Sequence, residues 1–265
     1  TGRAIVGLTK PDSGSILYDG KDLCKLSDKE FKPLRKELQM VFQNTLSALN
    51  PRQRIGNILE DILKIHSNLD AAERREKVVE VLKKVGLSED HYFRFPHELS
   101  GGQVQRLGIA SALVIGPKLI VCDEPVSALD VSIQAQILNM LMQLQKELGL
   151  SLLFISHDIG VIRFISDRIG VMYLGTLVEE TDTEELFANP LHPYTKGLFA
   201  SVPDPYIERD GFSELSGEQP VRTEDFKGCA FSTRCPHATE KCRQEAPVFR
   251  EVKAGHKVAC HMVEE

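Results

Sequence analysis

The sequence predicts an α/β protein with a largely parallel sheet, and three observations carry that prediction. LQMVFQ (Leu38 to Gln43), KLIVCDEP (Lys118 to Pro125) and SLLFISH (Ser151 to His157) are short apolar runs that end in polar residues. Such runs are the pattern of strands buried on both faces. Amphipathic helical patterns separate them, which supplies the crossovers that parallel strands require. The last strand-like segment, IGVMYLGTLVEE, reads as two short strands around Gly175-Thr176.

Taken in order, TGRAIVGL reads as the body of a helix, and SGSILYDGKDL (Ser13 to Leu23) as a hairpin turning at Asp19-Gly20. The stretch from Gln43 to Ser100 is mostly helical in pattern, and reads as an insert outside the sheet. One of its helices starts near Asp70, shows Val78, Val81, Leu82 and Val85 on one face, and ends with Gly86 at C′. ELSGGQVQRLGIASAL (Glu98 to Leu113) opens with a capping box, Ser100 with Gln103. Val104, Leu107, Ala110 and Leu113 then keep helical spacing until Gly116-Pro117 stops the helix. Capping does not account for Gly101 and Gly102, since glycine in a helix costs stability. Two of them suggest close approach to a helix N-terminus, where free N–H groups and the dipole favour an anion. VSIQAQILNMLMQLQKELG places Ile133, Ile137, Leu141, Leu144 and Leu148 on one face and ends at Gly149. After Leu186 the texture changes to a proline-rich stretch and a tail with four clustered cysteines.

Composition narrows the class. An apolar fraction of 42% over 265 residues supports a sizeable core. A formal net charge of -6 without basic clusters gives no footprint for nucleic acid. No apolar run reaches the roughly 18 residues of a membrane-spanning helix, and the amino terminus has no signal-peptide layout. The chain starts at Thr1 without methionine, which suggests processing or truncation.

Ligands of parallel α/β sheets sit beyond the carboxyl ends of the strands. Gln43 ends one strand, Asp123-Glu124 the second and Ser156-His157 the third. Polar residues are common at exposed strand ends, which suffices for Gln43 taken alone. Two adjacent acids at the end of an apolar strand are harder to explain so, because they repel unless a cation or a proton relieves them. Phosphoryl transfer needs both: one acid serves magnesium, and the other orients and deprotonates a water.

The order is then fixed: Gln43, helical insert, Ser-Gly-Gly-Gln, Asp-Glu-Pro, SALD (Ser127 to Asp130), His157. It closely resembles the nucleotide-binding subunit of ATP-binding cassette (ABC) transporters, from Thr1 to about Glu185. VFQNTLSALNPR, DEPVSALDVS, HPYTKGL and the tail cysteines look like the oligopeptide and dipeptide importer branch. Val104 and Ser111 depart from that pattern, standing where a basic or polar residue and an arginine are common. The resemblance implies a P-loop NTPase-like core (1–43 and 111–186), a helical subdomain carrying the signature motif (44–110) and a peptide-importer extension (187–265). It implies ATP and Mg²⁺ as cofactors. Glu124 would be the general base, with Asp123 and Gln43 serving magnesium, Gln43 also touching the water, and His157 reaching the γ-phosphate. Ser100, Gly101, Gly102 and Gln103 would contact ATP held by a second ATPase subunit, and Asp130 would cross that interface. The other partners would be two membrane permease subunits and, indirectly, an extracytoplasmic peptide-binding protein, with no nucleic acid. The location would be peripheral, on the cytoplasmic face of the membrane.

The phosphate-cradling loop G-x-x-x-x-G-K-[ST] does not occur in these residues. In the family it immediately precedes the helix read in TGRAIVGL. The expectation is therefore a chain that starts just after that loop and by itself neither binds ATP tightly nor hydrolyses it. A strand-sized gap would be lined by the strands ending at Gln43, Asp123 and His157. Two rivals stand beside this reading. Chromosome and repair ATPases share the motifs but insert long coiled coils, and residues 44–99 carry no sustained heptads. A non-enzymatic rival is a degenerate cassette that only completes a partner's site, or a redox-sensing module built on the tail; Glu124 argues against degeneracy, since inactive cassettes tend to lose that base.

Cys229, Cys235, Cys242 and Cys260 remain. They read as ordinary thiols, as two disulfides or as a ligand set. Disulfides suit a cytosolic protein poorly, and paired C-x-x-C zinc spacing is absent. Four thiolates at irregular spacing suit an iron–sulfur cluster. Some members of the peptide-importer branch carry a [4Fe–4S] cluster, with zinc as the alternative.

Overall fold

Asp19 and Gly20 both take positive φ, 47° and 76°, and close a two-residue turn between β1 (Leu17–Tyr18) and β2 (Lys21–Asp22). Left-handed backbone at both positions matches the twist of a hairpin, which is why Asp-Gly serves there. The computed structural model describes residues 1–201 and 227–263. The chain forms two compact units, Thr1–Asp158 and Ile159–Glu265.

The first unit centres on a parallel sheet in the order β3 (Leu38–Val41), β4 (Leu119–Asp123), β5 (Ser151–Ile155). β4 lies in the middle, and its Ile120, Val121 and Cys122 have no exposed surface. α1 (Gly2–Ile5) lies against this sheet, and a Cβ on Gly2 would stand 2.8 Å from Val121 Cγ1. Val6, Leu23, Leu38, Val121 and Phe31, the last residue of α2 (Asp28–Phe31), pack around it. The expected gap among the three strands is not observed. They pair directly, because successive parallel ladders seat β3 and β5 on either edge of β4. β5 pairs with no other described strand, and its Leu152, Leu153, Phe154 and Ile155 are only half-buried.

Residues between β3 and β4 are helical, as their pattern predicts: α3 (Thr45–Ala48), α4 (Ile55–His66), α5 (Ala71–Lys84) and α6 (Gly101–Leu113). Ile55, Leu59, Leu63, Val78, Val81, Leu82 and Leu107 form their buried faces. α4 and α5 hold 12 and 14 residues, far short of a coiled-coil arm. A capping box at Asp70 and Glu73 starts α5, and Gly86 follows it at φ 74°. α7 (Val131–Leu148) is the crossover from β4 to β5, and Gly149 ends it in the left-handed region.

The second unit follows α8 (Ile159–Ile165) with an antiparallel sheet, β6 (Arg168–Tyr173), β7 (Thr176–Asp182), β9 (His256–Val258), β8 (Arg250–Lys253) in spatial order. Short helices α9 (Thr183–Ala188), α10 (Pro193–Ala200) and α11 (Glu240–Gln244) accompany it. Phe231, Leu186, Tyr173, Val178, Val171 and Ile169 form the core. Glu179, fully buried on β7, accepts from the Leu191 and His192 N–H groups at 2.7 and 3.0 Å and pairs with His256 Nε2 at 2.8 Å. Burial lowers the pKa of His192 to about 4, so its neutral Nδ1 accepts from Tyr194 N and caps α10. One carboxylate thus ties the His-Pro-Tyr segment to the last hairpin. Among the described residues no helix is long and apolar enough to cross a membrane.

Candidate functional site

The parallel register brings the ends of β3, β4 and β5 to one rim. Val41 pairs with Cys122 and Asp123 with Ile155, so Gln43, Glu124 and His157 all emerge just past the ladder. Glu124 N–H donates to Ile155 O at 2.9 Å, extending the β4–β5 pairing by one residue. Its φ is 48°, a left-handed conformation that costs a non-glycine residue about 1–2 kcal/mol. Surrounding contacts hold that conformation. Ser127 Oγ donates to Glu124 O at 3.2 Å, and Pro125 and Val126 are buried behind it.

The carboxylate of Glu124 is gripped on both oxygens. Gln43 Nε2 donates to Oε2 at 2.8 Å, and His157 Nδ1 lies 3.2 Å from Oε1. A carboxylate only accepts, so Nδ1 carries a proton here. Nε2 of His157 is then an acceptor in the neutral ring and a donor in the imidazolium. Glu124 is 28% exposed and His157 72%, so this rim is open to solvent. Asp123 is half-buried, and among the described residues no hydrogen bond or ion pair engages its carboxylate. Asp123 and the amide oxygen of Gln43 are therefore oxygen donors available to a hard cation. Magnesium needs only one or two such protein ligands beside phosphates and water.

Ser100 and Gln103 form the expected capping box: Ser100 N donates to Gln103 Oε1 at 3.0 Å, and Gln103 N to Ser100 Oγ at 3.4 Å. The two glycines have different reasons. A Cβ on Gly102 would meet Ile133 Cγ2 of α7 at 2.7 Å, so close packing demands glycine. A Cβ on Gly101 would make only an ordinary 3.6 Å contact with Leu129, and Gly101 is exposed. Nothing among the described residues explains Gly101. Ser100 to Gln103 and Asp130 make no hydrogen bond to the Gln43–Glu124–His157 group. Asp130 stands at the N-cap of α7 without a side-chain capping bond.

Three further residues of this region have no role in the sequence reading. Buried His91 meets Gln103 Nε2 through its own Nε2 at 3.2 Å, fixing the glutamine. Gln134 Nε2 lies 3.1 and 2.9 Å from the carbonyls of Val126 and Leu129, holding the segment between Glu124 and Asp130. Thr45 joins α3 to α6. His91 and Gln134 follow Ser88 and Asp130 by three and four residues, a local signal that reads as capping and no further.

In the second unit, Cys229 N donates to Cys242 O at 2.7 Å, and Thr239 Oγ1 lies 3.3 Å from Cys242 Sγ. Burial first, and then the neighbouring thiols, raise the pKa of Cys229. Burial also raises that of Cys235, which feels Cys260 and Cys242. Cys229 and Cys235 thus each lie within electrostatic reach of Cys242 and Cys260. Among the described residues no three Cys, His, Asp or Glu side chains converge to hold a single metal ion. Cys122, whose thiol burial pushes up to about 12, lies apart as core.

Comparison with known proteins gives two family matches: ABC transporter over residues 2–127, and the oligopeptide/dipeptide transporter C-terminal region over residues 178–242. The oligopeptide transport ATP-binding protein OppF of Haemophilus influenzae is 51% identical over 97% of this chain and 79% of its own length. AppF of Bacillus subtilis, another oligopeptide transport ATP-binding protein, is 48% identical over 98% of this chain and 80% of its own. A dimeric ATP-binding cassette in a post-hydrolysis state with ADP and phosphate superimposes with a TM-score of 0.62 at 32% identity, covering 69% of this chain and 78% of that one.

Proposed function

Because the chain belongs to the ABC transporter ATPases that carry the oligopeptide/dipeptide transporter C-terminal region, we propose that the full-length protein binds and hydrolyses ATP to drive import of di- or oligopeptides through a membrane complex, and that residues 1–265, which contain no phosphate-cradling loop, do neither by themselves. The observation that carries the chemistry is the two-sided grip of Gln43 and His157 on Glu124. Each carboxylate oxygen has two acceptor sites. One on each is occupied, which orients the group and leaves the other to accept a proton from the attacking water. Gln43 donates through its amide nitrogen, so its oxygen is left to align that water. His157 donates to a transferred phosphoryl oxygen only as the imidazolium or after releasing Glu124. Asp123 and Gln43 would hold Mg²⁺, which when bound neutralises charge on the phosphate oxygens. Ser100, Gly101, Gly102 and Gln103, with Asp130, would serve ATP on a second ATPase subunit.

The same reading gives a core of 1–43 and 111–186, a helical subdomain of 44–110 and an extension of 187–265. It places the chain peripherally on the cytoplasmic face, against two permease subunits fed by a peptide-binding protein. Reconstitution of the full-length protein with those subunits tests it. Mg-ATP hydrolysis should rise when peptide-loaded binding protein is added, and labelled peptide should enter vesicles. Hydrolysis that responds to a non-peptide solute alone would overturn the cargo, and no hydrolysis would overturn the reading.

We propose further that Cys229, Cys235, Cys242 and Cys260 hold a [4Fe–4S] cluster. The support is the donor chemistry of four thiols at irregular spacing, which lacks the paired C-x-x-C pattern of zinc sites. Because ligation needs thiolates and burial raises the pKa of Cys229 and Cys235, loading should release protons and strengthen as pH rises. Protein purified without oxygen should contain about four irons and four sulfides per chain, and Cys235→Ser should bleach it. One zinc per chain and no iron would reverse the assignment.

A further inference from the structure

Thr45 and Gln105 form a buried polar contact that none of the roles above uses. Each is 6% exposed, and they lie on α3 and α6. Thr45 Oγ1 stands 3.2 Å from Phe42 O and 3.0 Å from Gln105 Oε1, while Gln105 Nε2 is buried without a partner. One hydroxyl proton cannot serve both acceptors. Exchanging the amide oxygen and nitrogen of Gln105 resolves this. The amide then donates to Thr45 Oγ1, and Thr45 donates to the Phe42 carbonyl. The orphan becomes an acceptor, which proteins leave unpaired more readily than a donor. Two hydrogen bonds then run in line from α6 to the peptide group immediately before Gln43. Gly108, one turn along α6, makes room for this: a Cβ there would stand 2.5 Å from Thr45 Cγ2 and 2.8 Å from its Oγ1.

The two ends of this chain of bonds lie beside two groups that the ATP-hydrolysis reading assigns to different nucleotides. One end is next to Gln43, which grips Glu124. The other is on the helix that begins at Ser100-Gly101. We propose that Thr45 and Gln105 are positioning residues that fix the α6 helix against Gln43, so that Gln43 and the start of α6 keep one register. A buried hydrogen bond sets direction and register, whereas an apolar contact tolerates sliding. The inference rests on the ATP-hydrolysis reading.

The test is ATP turnover of the full-length protein in the reconstituted complex. It uses Thr45→Val, which keeps the shape and loses the hydroxyl, Thr45→Ser, which keeps the hydroxyl, Gln105→Met, and the double variant Thr45→Val/Gln105→Met. Losing one such bond should lower kcat about three- to tenfold. KM for ATP should stay within about twofold, the double variant should be no worse than either single, and Thr45→Ser should match the parent. If Thr45→Val does not fold, Gln105→Met with and without Thr45→Ser gives the same kcat-against-KM comparison. Multiplying effects in the double variant, a loss confined to KM, or normal kcat in Thr45→Val and Gln105→Met would overturn the positioning role alone. Absence of hydrolysis in the parent complex would instead overturn the reading beneath it.

Discussion

Glu124→Gln should lower ATP turnover of the full-length protein by at least about a hundredfold while leaving ATP bound. The substitution keeps the size of the side chain. Its amide oxygen still accepts from Gln43 Nε2, which lies 2.8 Å from the carboxylate in the parent. The amide nitrogen that then faces His157 can no longer accept a proton from water. Binding contacts are therefore preserved and the base is removed, so kcat should fall and nucleotide should accumulate on a stable dimer. Turnover measured beside retention of labelled ATP separates the two effects. Turnover within about threefold of the parent would show that Glu124 is not the base.

Gly101→Asp should be nearly as damaging for the opposite reason. Gly101 is exposed in the first turn of α6, and a Cβ there makes no contact shorter than 3.6 Å. Aspartate at a helix N-terminus is favourable by about 0.3–1 kcal/mol, so α6 should be as stable as before. The added carboxylate would occupy the position proposed for a phosphate of the partner's ATP and would repel it. Hydrolysis should fall about a hundredfold or more, as for loss of one preorganised anion contact. Thermal melting of the isolated protein should be unchanged or slightly raised. Gly102→Ala is the contrasting case, because its Cβ would strike Ile133 and lower stability. Near-normal hydrolysis in Gly101→Asp would remove Gly101 from the ATP-contacting set.

The sequence by itself determined whatever depends on near neighbours. The helix start near Asp70, the capping box at Ser100, the Asp19-Gly20 turn and the glycines that end α5 and α7 all appear where the pattern puts them. Each is an interaction over a few residues, so the residue types suffice to specify it. The apolar runs also marked which residues would stand at the strand ends. What only the tertiary structure decided is how those ends meet. Gln43 and His157 lie 81 and 33 residues from Glu124, and whether they grip it depends on the register of two parallel ladders. The left-handed backbone of Glu124 has no glycine to announce it, because the surrounding contacts impose it. Gly101 and Gly102 look alike in sequence, yet one faces solvent and the other Ile133. Glu179, Thr45 and Gln105 read as ordinary polar residues, because only burial converts their hydrogen bonds into fixed joints. Local chemistry is written in adjacent residues, while side-chain geometry across a sheet is set by packing between segments far apart in the chain.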